Sequence, residues 1–183
     1  MSRINSEVLC DAFREEWMFQ IEQAPSILTS PEYPEPGAWT SFMEKPGGVL
    51  EGTLKRLRRD NSGLHCRRQR YTLDSLFVGG QNLFRSDMNY PSEIHVAIEH
   101  EHGSHVEEEM WKLIHWRAPL KVLIFYDWNE WEKNSDSNRT WLGSKVSNLW
   151  SMLEQVNSYF PENVTTEYLF LIGYRGVPSR PPR

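Results

Sequence analysis

Apolar side chains recur every three to five positions in four parts of the chain, the spacing of a helix with one buried stripe. This periodicity predicts helices over residues 4–23, 49–59, 104–117 and 146–160. The third helix has capping-box spacing at Ser104 and Glu107, and it must end before Pro119. Residues 24–48 contain five prolines, which lack backbone donors. We therefore expect residues 24–63 to be an irregular excursion that holds only the short helix.

Strand patterns fall in four other segments, which are rich in aromatic and β-branched residues. They predict strands over residues 69–78, 93–101, 120–126 and 166–174. The Gly79-Gly80 pair suggests a bulge through which the first strand could continue toward Phe84. Apolar and polar residues alternate over 93–101, which predicts a half-buried strand with an acidic face. Residues 120–126 are nearly all apolar, as expected of a central strand covered on both faces.

The predicted elements follow the order helix, loop, short helix, two or three strands, helix, strand, helix and strand. This order predicts an α/β fold with a mixed central β-sheet flanked by helices. We expect one domain over residues 1–174, because 183 residues are little more than one average domain. Residues 175–183, which include three prolines, are predicted to form a disordered tail.

Composition and charge narrow the class of protein. With 39% hydrophobic and 13% aromatic residues the chain buries a core. A formal net charge of −5 argues against a generally basic nucleic-acid coat, so any polyanion must meet a local patch. The two cysteines lack paired spacing and indicate neither a disulfide framework nor a cysteine zinc site. Without a signal peptide or a membrane-length apolar run, we expect a soluble cytoplasmic protein with no membrane partner.

Two carboxylates at the end of the second predicted strand are the first candidates for chemistry. Glu99 and Glu101 are two residues apart, so their side chains project from one face, and the carbonyl of His100 lies near the same point. Close carboxylates recruit a cation, and an oxygen-only ligand set favours Mg²⁺ or Mn²⁺. The alternative is a solvated polar face, which is common on exposed strands.

A third carboxylate joins the pair if the first two predicted strands form a hairpin. A turn at Ser86 and Asp87 places Asp74 opposite Glu99, because both pairs of residue numbers sum to 173, although a bulge would shift this register by one residue. Asp87 itself would lie at the turn, about 40 Å from Glu99 at about 3.3 Å per residue. Asp74 is therefore the predicted partner.

These residues resemble a known family. An aspartate in a strand (YTLDSLF), a strand ending in a Glu-x-acidic motif (VAIEHE), a helix and a buried strand (KVLIFY) resemble the restriction-endonuclease-like PD-(D/E)XK nuclease superfamily. The resemblance covers residues 4–23 and 69–126. It implies a core of a helix, three strands, a helix and a strand, to which this chain adds a C-terminal helix and strand.

The resemblance implies roles for single residues. Asp74 matches the motif aspartate, Glu99 the first acid of the second half-motif, and Glu101 the position usually held by lysine. Some members resemble this chain in having glutamate there, and in some the lysine has moved to the following helix, where Lys112 lies. The alternative for Lys112 is an exposed helix lysine.

The resemblance implies a metal-dependent endonuclease that hydrolyses phosphodiester bonds. Mg²⁺ or Mn²⁺ would be held by Asp74, Glu99 and the His100 carbonyl, and Glu101 would take a proton or bind a second ion. Nucleic acid, DNA in preference to RNA, is the implied partner, and a homodimer is left open. Because the half-motif lysine is missing, the alternative is an inactive nuclease fold that acts as a binding or regulatory module.

A basic cluster precedes the Asp74 strand and could bind phosphates. It comprises Lys55, Arg56, Arg58, Arg59, Arg67, Arg68 and Arg70. The alternative is an arginine-rich surface that pairs with acids elsewhere in the chain.

Three weaker signals remain. Histidines at positions 95, 100, 102 and 105 suggest zinc, but they lack HExxH spacing and would need a distorted strand to converge. Glu15 or Glu16 on the first helix could approach the site, although a solvated helix face is the simpler expectation. Trp128 and Trp131, in a polar loop, are candidates for contact with a partner.

Overall fold

The structure is a computed structural model that describes residues 4–23, 36–58, 63–70, 72–79, 93–101, 105–126, 135–159 and 166–173. Its helices are α1 (Ser6–Gln23), α2 (Pro36–Glu44), α3 (Val49–Leu57), α4 (Val106–His115) and α5 (Ser135–Tyr159). Its strands are β1 (His65–Arg70), β2 (Leu73–Val78), β3 (Ile94–Glu101), β4 (Leu120–Tyr126) and β5 (Glu167–Gly173).

The five strands form one mixed sheet in the order β1-β2-β3-β4-β5. Neighbours from β1 to β3 are antiparallel, and those from β3 to β5 are parallel. Helices α1, α2 and α3 contribute to the apolar cluster on one face of the sheet, and α4 and α5 contribute to that on the other. The predicted α/β class with a mixed, helix-flanked sheet is confirmed.

Strand β4 shows why the sheet lies in the middle of the molecule. Leu120, Val122 and Ile124 pack in the cluster with α1 to α3, while Leu123 and Phe125 pack in the cluster with α4 and α5. All five are at most 2% exposed, and each contributes about 1.5–3 kcal/mol by leaving water. The near-continuous apolar run therefore predicted a two-sided strand correctly.

Helix α2 corrects the prediction that residues 24–63 hold only one short helix. Pro36 is the first residue of α2, a position where the missing N–H costs no hydrogen bond and the fixed φ favours a helix. Trp39, Phe42 and Met43 have helical spacing and are at most 2% exposed. The density of prolines concealed this buried stripe in the sequence.

The predicted strand over residues 69–78 is also corrected, because two strands form where one was expected. Strands β1 and β2 pair antiparallel, with Arg70 opposite Leu73, and the chain turns between them. Gln69 and Thr72 adopt positive φ angles of 46° and 71°, which a continuous strand does not allow. The sequence HCRRQR of β1 has no apolar alternation that would have revealed it.

The remaining elements agree with the sequence to differing degrees. The first helix, the short helix and the last two strands are confirmed within a few residues. Helix α5 begins at Ser135, eleven residues before the predicted start. The sequence did not reveal these first turns because they are polar and carry no apolar stripe. The tail over 175–183 lies outside the described residues. Among the helices described, none combines the length and apolar character needed to cross a membrane.

Helices α1 and α3 pack tightly against each other at Gly52. A Cβ atom on Gly52 would lie 2.2 Å from Cδ of Glu16. Glu16 is only 6% exposed. Its carboxylate accepts hydrogen bonds from Arg56 Nε at 2.9 Å and from Gln20 Nε2 at 2.7 Å. A side chain at position 52 must therefore displace a buried, fully engaged carboxylate.

We predict that Gly52→Ala destabilises the protein by about 2 kcal/mol, because the lost Arg56 and Gln20 contacts outweigh the gain in helix propensity. Gly143→Ala, in α5, is the matched control, since nothing lies within 4 Å of its added Cβ. That variant should be stabilised by up to about 1 kcal/mol. Urea unfolding curves measure both, and equal effects of the two substitutions would contradict the prediction.

Candidate functional site

The hairpin of β2 and β3 brings Asp74 to Glu99 in the predicted register. Ser75 pairs with Ile98 and Phe77 with Val96, so the residue numbers sum to 173. The register shift lies between Phe77 and Val78, so it does not alter the pairing near Asp74. The backbone N–H of Asp74 donates to Glu99 Oε2 at 3.1 Å. The predicted pairing of these two residues is therefore confirmed.

Glu99 lies in the interior, which corrects the prediction of a half-buried strand with an acidic face. Five consecutive residues of β3, Val96 to His100, are buried, and Glu99 is 0% exposed. Helix α4 covers this face, through Val106 and Met110. A solvated polar face is thus excluded for Glu99, and its carboxyl group must be accommodated by neighbouring polar groups.

The environment of Glu99 strongly favours its protonated form. Burial raises the pKa of Glu99 to about 9, and the hydrogen bond and negative charge of Asp74 add to this effect. Lys112 opposes the shift, with its Nζ 3.0 Å from Glu99 Oε1. The carboxyl group is thus poised to exchange its proton for another positive charge.

Helix α4 contributes a third carboxylate, Glu109, which the sequence analysis missed. Asp74, Glu99 and Glu109 each offer an oxygen, and these three atoms lie within 4.8 Å of one another. We call this set the carboxylate cluster. A signal for Glu109 did exist, because it lies beside Met110 and three residues after Val106, on the stripe that faces the sheet.

Lys112 lies at the carboxylate cluster, where its proposed role as the displaced half-motif lysine would require it. It forms ion pairs with Glu99 and Glu109, and its Nζ donates to the Thr72 carbonyl at 3.3 Å. Burial lowers the pKa of Lys112, but the carboxylates of Glu109 and Glu99 outweigh it, so the pKa is raised. The side chain is 32% exposed, so Lys112 is both charged and partly open to solvent.

A second set of potential ligands lies on the other side of Asp74. Glu44, Asp74 and His100 also place one ligand atom each within 4.8 Å of one another. Nε2 of His100 lies 2.9 Å from Glu44 Oε1, and the backbone N–H of His100 donates to Asp74 Oδ2 at 2.9 Å. Nδ1 of His100, which is buried, lies 3.8 Å from the same Asp74 oxygen.

Glu44 was not foreseen, because it ends the unpredicted helix α2. His100 was expected to contribute its carbonyl, and the structure adds contacts through its imidazole and its N–H. The imidazole packs edge-on against Trp39, with ring centroids 6.0 Å apart. Trp39 belongs to the apolar cluster formed by α1, α2 and α3. The buried acidic and histidine groups around Asp74 could therefore hold a metal ion.

Glu101 stands apart from both sets. It is the last residue of β3 and is partly exposed. Within the described ranges, neither group of converging ligand atoms includes it. Its role as a metal ligand or base stays a prediction.

The basic cluster divides into two parts. Arg56 pairs with Glu15 at 3.0 Å and with Glu16 at 2.9 Å, as expected of a surface whose arginines pair with acids. These contacts hold Glu16 against α3 and not at the sheet site. Lys55, Arg58, Arg67 and Arg68 line a separate notch between α3 and β1. Arg59 and the side chain of Arg70 lie outside the described residues.

The histidines in the described part of the chain do not converge on a shared zinc site. His95 and His100 are five residues apart on β3, which corresponds to about 17 Å. His105 is exposed, and the hydrogen bond and charge of Glu108 raise its pKa. His102, Asp87, Trp128 and Trp131 lie outside the described residues.

No protein-family model, no curated protein and no solved structure matches this chain. The resemblance to the PD-(D/E)XK superfamily therefore stays a prediction that rests on the residues quoted above.

The raised pKa of Glu99 predicts a specific dependence of stability on pH. Between pH 4.5 and about 9 the folded protein holds a proton at Glu99 that the unfolded chain has released. The contribution of this group to the free energy of unfolding therefore falls as pH rises through that window. Glu99→Gln lacks this loss of stability at high pH, because the amide stays neutral in both the folded and the unfolded state.

In buffer that contains a metal chelator, we expect the free energy of unfolding of Glu99→Gln to exceed that of wild type by about 1–3 kcal/mol at pH 8. At pH 4 the two proteins should be equally stable. Denaturant unfolding at the two pH values measures the difference. Glu108→Gln, at an exposed position on α4, controls for the change of charge. A Glu99→Gln protein less stable than wild type at pH 8 would show that the carboxylate itself is needed for folding.

Proposed function

We propose that this protein is a divalent-metal-dependent nuclease that hydrolyses phosphodiester bonds in nucleic acid, with a PD-(D/E)XK-like fold. One observation carries the proposal. Asp74, Glu99 and Glu109 each place a carboxylate oxygen within 4.8 Å of the other two, and the partly exposed Lys112 lies beside them. The element order of the described sheet and helices is compatible with the superfamily core. The confirmed pairing of β2 with β3 adds support.

The carboxylate cluster fits a hard divalent cation. Its three potential ligands are all oxygens, the donor type that Mg²⁺ and Mn²⁺ prefer. Without a cation, three acidic groups face one lysine, and the surplus negative charge helps raise the pKa of Glu99. A divalent ion would replace the proton on Glu99 and balance the cluster, which is the usual coupling between metal binding and ligand deprotonation.

In this proposal each protein group has a defined task. Bound metal would withdraw charge from a phosphoryl oxygen and make the attacking water more acidic. Lys112, charged and partly exposed, stabilises negative charge that develops on the phosphate. Glu101, at the exposed end of β3, accepts a proton from the water. The N–H of His100 fixes Asp74, and Glu44 in turn holds the imidazole, so these two residues position a ligand.

The second candidate function is an inactive member of the same fold that binds nucleic acid or regulates a partner. Two observations favour it. Glu101 stands where the superfamily usually has lysine, and the whole chain carries a net charge of −5. Lys112 supplies an amine at the same cluster, which is the reason we place the catalytic function first.

We predict that wild type binds Mn²⁺ or Mg²⁺ and cleaves DNA in its presence, and that Glu109→Gln weakens metal binding at least tenfold and cleavage at least a hundredfold. The reason is the loss of one of three oxygen ligands. Glu108→Gln, the neighbouring exposed acid, should change neither. Calorimetric titration and a gel assay on single-stranded and plasmid DNA measure the two quantities.

The outcomes separate the candidate functions. Metal binding without cleavage under any condition would favour the binding module. No metal binding, or Glu109→Gln and Glu108→Gln behaving alike, would contradict the metal-centre assignment.

Lys112 provides an independent prediction. In Lys112→Met the ammonium no longer competes for the carboxylates, so Mn²⁺ should bind more tightly, while cleavage should slow at least tenfold. Lys145→Met is the control, because Lys145 pairs with Glu107 on the same helix α4. A Lys112 variant that loses metal affinity, or that cleaves at the wild-type rate, would contradict the role given to this amine.

A further inference from the structure

We propose that the notch between α3 and the edge strand β1 is a seat for one phosphate group of a nucleic-acid strand. The choice of a nucleic acid as the source of the phosphate rests on the proposed function. The seat itself is argued from its own shape, charge and hydrogen bonds, and it contains no residue of the carboxylate cluster. We call it the phosphate notch.

The phosphate notch is a defined cavity on the surface of the protein. It encloses about 280 Å³, enough for a phosphate group and part of an attached sugar. Its wall on the helix side is formed by Leu54, Lys55 and Arg58, and its wall on the strand side by residues 65–68. Leu54, at 2% exposed, belongs to the core beneath α3.

The charge of the phosphate notch favours an anion. Four cationic side chains and one carboxylate, Glu51, line it, which leaves a formal net charge of +3 with His65 neutral. The cations are Lys55, Arg58, Arg67 and Arg68. In a chain whose total is −5, this concentration is local, and it creates a positive potential at one place on the surface.

Glu51 does not neutralise the phosphate notch. Its Oε1 lies 3.1 Å from Lys55, and its Oε2 lies 3.0 Å from Arg68, so a single carboxylate is shared between two cations. The backbone N–H of Gly47 and the ammonium of Lys55 lower the pKa of Glu51, which therefore stays ionised. Its effect is to hold the two cations in place while leaving the notch positively charged.

Two arginines of the phosphate notch are held in place by hydrogen bonds to the backbone. Arg58 Nε donates to the Leu64 carbonyl at 2.5 Å, and its Nη2 lies 3.1 Å from His65 Nδ1. Arg68 Nη1 donates to the carbonyl of Glu44. A guanidinium fixed before its ligand arrives loses little side-chain entropy on binding, and planar guanidinium groups suit phosphate oxygens.

Contacts through Glu44 link the phosphate notch to the candidate metal site. Arg68 holds the backbone of Glu44, and the carboxylate of Glu44 holds the imidazole of His100. The N–H of His100 holds Asp74, which belongs to the carboxylate cluster. A strand whose phosphate lies in the notch is thereby anchored to residues that share a hydrogen-bonded path with the cluster.

A rival explanation for the arginines is protection of a sheet edge. Strand β1 is an edge strand, and charged side chains on such strands prevent pairing with other molecules. This explanation predicts that removing the charges causes aggregation without altering the affinity for nucleic acid. It also does not account for the concave shape or for the hydrogen bonds that orient Arg58 and Arg68.

The test is fluorescence anisotropy with a labelled 12-nucleotide single-stranded DNA, performed on the full chain in EDTA so that no cleavage is required. We expect the double variant Lys55→Gln/Arg67→Gln to bind about tenfold more weakly than wild type. Because one phosphate is released, the slope of log K against log salt should fall by about 0.7. Arg14→Gln removes one positive charge at an exposed position on α1, against two in the double variant, and should bind within twofold of wild type.

Each outcome decides the inference. Wild-type affinity in the double variant overturns it, as does an equal loss in Arg14→Gln, which would indicate general electrostatics. Competition by millimolar inorganic phosphate should be seen in wild type and lost in the double variant. Phosphate binding at the notch with unaltered DNA binding would overturn a nucleic-acid source.

The binding test also separates this inference from the proposed function. DNA binding through the notch without metal-dependent cleavage would retain the phosphate seat and remove the nuclease. Normal cleavage with an unaltered affinity in the double variant would do the reverse. Thermal unfolding of each variant confirms that the folded state is preserved.

Discussion

The burial of Glu99 is the constraint on which the rest of the site depends. Taking a carboxylate out of water costs several kcal/mol unless opposite charge and hydrogen bonds compensate. Here Lys112 and the N–H of Asp74 compensate, while the negative charge of Asp74 acts against them. An apolar residue at position 99 would avoid this cost, since both faces of β3 are packed. A buried acid in such surroundings indicates a cation or proton site.

Asp74 connects the buried Glu99 to the residues around His100 by hydrogen bonds. It is positioned near the start of β2, opposite the carboxyl end of β3, where the antiparallel ladder gives way to side-chain hydrogen bonds. One of its oxygens takes the N–H of His100, and its own N–H is given to Glu99. Residues on opposite faces of the sheet therefore meet at a single carboxylate. A change at Glu44 can reach Glu99 through two intermediates, although no residue of α2 touches α4 in these contacts.

The sequence predicted what periodicity controls and missed what packing controls. The pairing of Asp74 with Glu99 followed from the hairpin register, because side-chain direction in a strand has a fixed period of two. Glu109 and Glu44 were missed, since their approach to the sheet depends on how α4 and α2 dock. The alternation of β3 predicted a half-buried strand with an acidic face, which was wrong for Glu99 because α4 covers it. A pattern within one strand carries no information about a helix placed over it.

The two charged regions have opposite consequences for a nucleic-acid strand. In the two proposals, the carboxylate cluster repels phosphates until a cation neutralises it, whereas the phosphate notch attracts them with or without the cation. The attraction falls off within about 10 Å at moderate salt, so the notch can guide a strand only if it lies near the cluster. The two regions are joined by a hydrogen-bonded path from Arg68 through Glu44 and His100 to Asp74. In the proposed function, productive binding of a strand would depend on the metal, and its retention would depend on the arginines of the notch. Such an arrangement would let an acidic protein act on a polyanion without a generally basic surface.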